Sequence, residues 1–388
     1  MAGALFATAE LRRSRGRFGL LMAGAGLLVF VLLFQQALLS AVLDGMTGAL
    51  ERQSGTVLVY AREAQRSFVG SLVLPEQLAA IAEAPGVEDA AELGIASLSY
   101  RPAGSGTAVD GERVNVSLIG YQPGRAGTPA GLDEGRMPEA PDEVVATVED
   151  TVAGKYAVGD TVTVEPGGRP LTVVGMVRGA RWAISPTLWV PWEGYVETVM
   201  AATPDLPQVL ASVVAVRPAV QGPGGADALA ADLNRAFPDL EAATREEAAA
   251  TAPGLREVRA AFGLVQGLAY LVVAVVVGFF FLSMTLVKEP SVTVLRAVGA
   301  DASYLVRCLL LQVGVVTAGA MVIGVLFLAV SMPLVRSVVV VELDVVLLAR
   351  TLGPAVGVAL LGALPAVRRT VQVDPATILT RQSLAGPG

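Results

Sequence analysis

The chain contains no histidine and a single cysteine, Cys308. Without histidine, the usual general base near neutral pH, the commonest zinc ligand and every Ser-His or Cys-His nucleophile pair are gone. One cysteine permits neither an internal disulfide nor a thiolate metal site. A phosphate-binding loop is also lacking: the nearest fragment, Gly154-Lys155, has Tyr156 where Ser or Thr is required and Glu149 where the first glycine should stand. Adjacent acids do occur, at Glu88/Asp89, Asp133/Glu134 and Asp142/Glu143, but in polar, turn-rich sequence where solvated surface charge is the plain account. The sequence therefore offers no catalytic, cofactor-binding or metal-binding residues, and the chain reads as a non-enzyme.

Charge is missing in a second, more informative way. Four long apolar runs, Phe18–Leu43, Ala261–Val287, Ser303–Ser331 and Val345–Ala366, carry no acid or base near their middle. Each exceeds the roughly 20 residues a helix needs to cross about 30 Å of hydrocarbon. A soluble fold cannot bury four helices that are apolar all round, so the pattern predicts four membrane spans in a one-plus-three layout, with residues 44–260 outside the bilayer. The first run is too long for the h-region of a cleaved signal, about 7–15 residues, and reads as a retained anchor that continues into a stalk.

Cations set the orientation. Arg12, Arg13, Arg15 and Arg17 precede the first run; Lys288, Arg296 and Arg307 flank the short connection between the second and third; Arg368, Arg369 and Arg381 follow the fourth. By the positive-inside rule, residues 1–17, the connection 288–302 and the tail 367–388 are cytoplasmic, while 44–260 and the loop 332–344 lie on the other side. Residues 44–260 hold 16 Lys+Arg against 29 Asp+Glu, a net charge of −13, and the remainder has +6. That acidity suits solubility and excludes nucleic acid as a natural partner.

Within the outer domain, strand-like and helix-like patterns alternate. Thr56–Tyr60, the helical run Pro75–Ala84 and Val87–Tyr100 form one β-α-β unit; Val209–Val216, Ala226–Phe237 and Asp239–Ala243 form another. Two such halves can pair into one α+β lobe, which leaves residues 110–207, with four short strands between Pro-Gly, Gly-Asp and Gly-Gly turns, as an inserted, mostly β subdomain. All three tryptophans, Trp182, Trp189 and Trp192, fall in the run RWAISPTLWVPW. Two readings stay open: an aromatic surface for substrate or partner, or packing inside the subdomain.

The connection reads KEPSVTVLRAVGADA from Lys288 to Ala302. Pro290 fits a helix boundary, Ser291–Val298 a short amphipathic helix, and Gly299 its stop. Physically, this is either a docking knob for a cytoplasmic protein or a hairpin linker lying in the lipid interface. Small residues recur on the spans, at Gly19, Ala23 and Gly26 and at Gly353 and Gly357, and allow close helix approach within one chain or between two.

Leu295-Arg296-Ala297-Val298-Gly299-Ala300, placed between two membrane helices, resembles the signature of the FtsX-like permease family, which includes MacB-type ABC transporters. The tail Leu364-Pro365-Ala366-Val367-Arg368-Arg369, followed by Val373-Asp374-Pro375-Ala376-Thr377-Ile378-Leu379, is similar to that family's ending. Gly135-Arg136, Glu143-Val144-Val145, Gly159-Asp160 and Val173-Val174-Gly175 resemble the MacB-type periplasmic core. The resemblance implies a permease that binds a separate ATP-binding subunit, which would hold the ATP and Mg, and that works as a homodimer or as a heterodimer with a sister permease. It further implies that Leu295, Arg296, Val298, Gly299 and Ala300 form the ATPase-coupling segment and that motion passes up the helices to the outer domain, for export or extraction of a substrate. The alternative from another class is a transducer that moves no solute and regulates a cell-wall hydrolase or a sensor.

Overall fold

The computed structural model describes residues 15–102, 113–150, 156–182, 185–220, 222, 224–297, 302–336 and 345–372. In chain order its elements are α1 (Arg15–Glu51), β1 (Val57–Ala61), α2 (Pro75–Ala82), β2 (Val87–Pro102), β3 (Val114–Tyr121), β4 (Leu132–Gly135), β5 (Glu143–Thr147), β6 (Thr161–Glu165), β7 (Arg169–Val177) and β8 (Thr187–Pro191). There follow α3 (Trp192–Ala202), β9 (Val213–Pro218), α4 (Gly225–Ala236), β10 (Leu240–Thr244), α5 (Arg245–Ala250), α6 (Leu255–Ala297), α7 (Ala302–Arg336) and α8 (Val345–Gln372). Two compact units result, and the boundaries between them fall inside continuous helices: between Leu39 and Ser40 in α1, and between Arg259 and Ala260 in α6.

In the outer unit, the two β-α-β halves interleave into the strand order β10-β1-β9-β2, all antiparallel. Period-two alternation on β1 decides what each face meets. Val57 and Val59 point to the side carrying α2 and α4, where they pack with Ile81, Leu229 and Leu233; Leu58 and Tyr60 face the opposite core with Leu50, Phe68 and Ala248. Pro75 opens α2, and the Gln77 side chain accepts the Leu74 N–H, while Thr244 caps α5 by accepting from the Glu247 N–H. The outer edge of β10 is blunted: Asn234 of α4 both donates to the Ala242 carbonyl, at 2.7 Å, and accepts its N–H, at 2.9 Å. A free strand edge is thereby withdrawn from pairing with another chain.

The inserted subdomain closes on itself. β2 pairs β3, β3 pairs β8, β8 pairs β5, β5 pairs β7, β7 pairs β6, and β6 returns to β2, giving a six-stranded barrel. Its interior is filled by Tyr100, Leu118, Val144, Val164, Leu171, Val173 and Leu188, all fully buried. Strand β2 belongs to both halves of the domain: its first part pairs β9 of the lobe, its last part β6 of the barrel. Helix α3 leaves the barrel after Pro191 and lays Tyr195 over Gly94 and Gly120, where any side chain would collide with the ring.

The second unit is the helical bundle. Its core draws Phe18, Leu21 and Leu32 from α1, Val273, Val277 and Phe281 from α6, Val313 and Val316 from α7, and Ala355, Ala359 and Ala363 from α8. Much apolar surface stays exposed, including Leu20, Phe279 and Val330. Exposure on this scale fits a bundle solvated by lipid rather than water. All four helices are long and apolar enough to cross a membrane. The fold is thus the one expected: four candidate spans, with a mixed α+β domain between the first and the second.

Candidate functional site

The connection between the second and third spans is where the sequence concentrates its functional signals. Helix α6 runs without interruption to Ala297, and α7 begins at Ala302, so Leu295 and Arg296 occupy the last turn of α6. Val298, Gly299 and Ala300 lie outside the described residues, as does the tail motif from Val373 to Leu379. The expectation of a helix boundary at Pro290, with a separate short helix after it, is corrected: the helix passes straight through that residue. Proline removes one backbone hydrogen bond and crowds the preceding turn, a cost that membrane helices absorb by small local adjustments. As far as Ala297 the connection is a continuation of the second span.

Close backbone contacts fix the bundle above this connection. A methyl added to Gly278 of α6 would sit 2.6 Å from the Gly362 carbonyl of α8, and one added to Gly362 would sit 2.5 Å from that of Ala274. Between α1 and α7, Gly26 meets Ile323 and Gly324 meets Val29 in the same manner. Gly353 and Gly357, singled out in the sequence as packing residues, have nothing within 4 Å of where a side chain would start. Among the described residues the close helix approaches are made instead at Gly278 with Gly362 and at Gly26 and Gly324. The polar links are few: Tyr270 donates to the Thr351 carbonyl at 3.1 Å, and Gln35 to that of Phe262 at 3.2 Å. Among the described residues no charged side chain is buried, and Arg307 and Arg350 are exposed.

The tryptophans are packing residues. Trp189 is 1 % exposed and donates to the Ala180 carbonyl at 3.0 Å, with its ring edge-on to Tyr121. Trp182 stands perpendicular to buried Phe68, and Trp192 stacks on Tyr195, both half-buried. Trp189 is thereby closed to any partner, while Trp182 and Trp192 each pack one face against the domain's own rings and keep part of their surface exposed.

The outer-domain motif residues meet in three dimensions. Arg136 forms a two-pronged ion pair with Glu143, one prong at 2.7 Å, and Glu143 also accepts the Glu139 N–H at 2.8 Å. These contacts, the Arg136 guanidinium first, pull the Glu143 carboxyl down to about 2. Gly135 and Gly175 lie where β4 crosses β7, each leaving no room for a side chain against the other strand's backbone. Asp160 accepts the Ala157 N–H in the turn opened by Gly159. These residues build the barrel; they do not line a site. A second such pair, Arg125 with Asp89, closes the lobe: burial alone would raise the Asp89 carboxyl, but the Ala126 N–H and Arg125 hold it below its usual range.

No family model matches the chain. An uncharacterized ABC transporter permease of Mycobacterium tuberculosis, Rv0072, is 28 % identical over 334 residues, covering 85 % of this chain and 84 % of that protein. The uncharacterized ABC transporter permease Mb2592 of Mycobacterium bovis is 26 % identical over 314 residues, 80 % of each chain. Among solved structures, the extracellular domain of the noncanonic ABC-type transporter YknZ from Gram-positive bacteria aligns with 49 % of this chain and 100 % of its own, at 14 % identity and a TM-score of 0.32. The periplasmic region of MacB from Actinobacillus actinomycetemcomitans aligns with 50 % of this chain and 90 % of its own, at 14 % identity and a TM-score of 0.33.

Proposed function

We infer that this chain, a homologue of ABC transporter permeases along most of its length, is the membrane-spanning subunit of a MacB-like transporter and drives an outer domain with ATP hydrolysed by a separate subunit. One observation carries the inference. Two unbroken helices, α1 and α6, run from one unit into the other: α1 gives Phe18 and Leu32 to the bundle core and Ala49 and Leu50 to that of the outer domain, while α6 gives Val277 and Phe281 to the bundle and begins at buried Leu255 in the outer unit. A helix transmits axial and tilting motion because its hydrogen bonds close within the segment, and α6 ends in the Leu295-Arg296 turn on the side that the cation pattern makes cytoplasmic. ATP and Mg would reside in the partner subunit.

Two copies of the permease would complete the assembly. The exposed glycines 353 and 357 support a homodimer, since small residues with open space around them among the described residues are available to a neighbouring helix. Export or extraction of a substrate is the favoured outcome of the stroke.

Purification of the tagged chain from native membranes tests the proposal. An ATPase with a phosphate-binding loop should accompany it, and Leu295→Asp should abolish both the association and the stimulation of ATP hydrolysis. Full stimulation in that variant would overturn the coupling role.

A further inference from the structure

The outer unit has an open cleft of about 510 Å³ walled by the end of α1, by α5 and by the first turn of α6, with Arg52, Arg245 and Arg259 lining it beside Glu51, Glu246, Ala249 and Ala250. Three elements thus each bring one guanidinium to the same space. The carboxylates there are partly committed: Glu246 pairs with Arg245 at 3.2 Å, and Glu51 accepts the Thr47 hydroxyl at 3.0 Å. Arg245 is further tied to the Gln53 carbonyl, at 3.2 Å. Arg52 and Arg259 have no carboxylate within ion-pair distance among the described residues.

Many other arginines of the domain are paired with acids. Arg66 is held by Glu241 and Glu247, Arg125 by Asp89, Arg136 by Glu143, Arg169 by Glu197 and Arg178 by Asp133. Although acids exceed bases in the domain by 29 to 16, Arg52 and Arg259 share one cleft with neither held by a carboxylate. Their place along the chain names the ligand. Arg259 is the last charged residue before the apolar run of α6, which puts it at the depth where a bilayer changes from hydrocarbon to phosphate, and Arg52, just past the end of α1, lines the same cleft. The positive-inside rule gives cations no topological use on that side. Guanidinium forks fit phosphate oxygens in pairs, and the methyl groups of Ala249 and Ala250 offer a dry wall to the glycerol end of a headgroup.

We propose that this cleft binds the phosphate of an anionic outer-leaflet lipid through Arg52 and Arg259, with Arg245 as a fixed neighbouring cation. Bound lipid would clamp α1 against α6 where they leave the bilayer. The site presupposes the membrane-spanning topology proposed above but needs no ATPase.

The test uses the full chain in nanodiscs of phosphatidylcholine containing a minor fraction of phosphatidylglycerol, with protein-bound lipid counted by native mass spectrometry after release into detergent. Phosphatidylglycerol should be enriched on the native protein and fall about tenfold in the Arg52→Gln/Arg259→Gln protein, with Arg→Lys at both positions in between, because Lys keeps charge and loses the fork. Arg235→Gln, on an exposed pair elsewhere, should retain the enrichment. Millimolar inorganic phosphate should leave it unchanged. Equal enrichment in the Gln protein would overturn the proposal, and so would displacement by inorganic phosphate, which would assign the cleft to a soluble anion. No nucleotide is present, so failure here leaves the ATPase-coupling proposal standing.

Discussion

Helices α6 and α8 in the bundle and strands β4 and β7 in the outer domain meet at glycines that leave no room for a side chain, yet the two contacts are secured differently. At Gly278 and Gly362 the contact is backbone on backbone. At Gly135 and Gly175 the crossing is flanked by the Arg136–Glu143 ion pair and by a barrel core sealed on all sides. Lipid supplies no hydrophobic drive between helices and makes a stray charge expensive, so the bundle depends on close fit with a few interhelical hydrogen bonds. Water permits an ion pair at the crossing and drives apolar closure, so the barrel has several independent supports.

The comparison can be broken most forcefully inside the barrel. Leu171→Ala removes a fully buried side chain from an interior closed on every side, and should cost about 2–5 kcal/mol, read from the urea midpoint of the outer-domain transition. If the loss were negligible, the barrel core would not be a principal support. Next comes Gly362→Val, which forces α8 away from α6 and should cost about 1–3 kcal/mol in thermal unfolding in detergent. Gly353→Val, with open space around it, should leave the monomer's midpoint unchanged. Equal effects at the two positions would mean that helix fit does not hold the bundle.

Asn234→Ala sharpens the picture at the sheet edge. It strips both hydrogen bonds from Ala242 and should cost about 1–2 kcal/mol while accelerating amide exchange along β10. Smallest of the set is the pH effect of Glu143. Because its folded carboxyl titrates near 2, below the ordinary 4.5, its contribution is complete above about 4.5 and is lost as pH falls toward about 2. Glu143→Gln should therefore flatten the acid limb of the stability curve in that window; an unchanged limb would show that the pair is not an acid-sensitive support.

What was legible in the sequence follows the same division. The spans announce themselves because lipid demands an uninterrupted apolar run, and β1, α2, β9, α4 and β10 because their periodicities are local. Barrel closure was hidden: the return pairing of β6 with β2 joins Glu165 to Ser99, and strand patterns do not name distant partners. Helix α3 was masked by the aromatic run that precedes it. Pro290 looks like a boundary in the sequence because its penalty is local, whereas the long helix on either side of it carries the chain through. The Gly-Arg and Glu-Val-Val motifs were recognisable as a resemblance, but only their pairing shows that they serve architecture. The charged cleft has no sequence signature, since its arginines are spread from residue 52 to 259.

The central claim is that α1 and α6 carry nucleotide-driven motion to the outer domain. With Cys308 replaced by serine, a single spin label at exposed Leu74 in each copy of the assembled complex reports the distance between outer domains by pulsed electron resonance. A shift of that distance on ATP binding, abolished by Leu295→Asp, is the predicted result; an identical distance distribution with and without ATP, in a complex that hydrolyses it, would contradict the account.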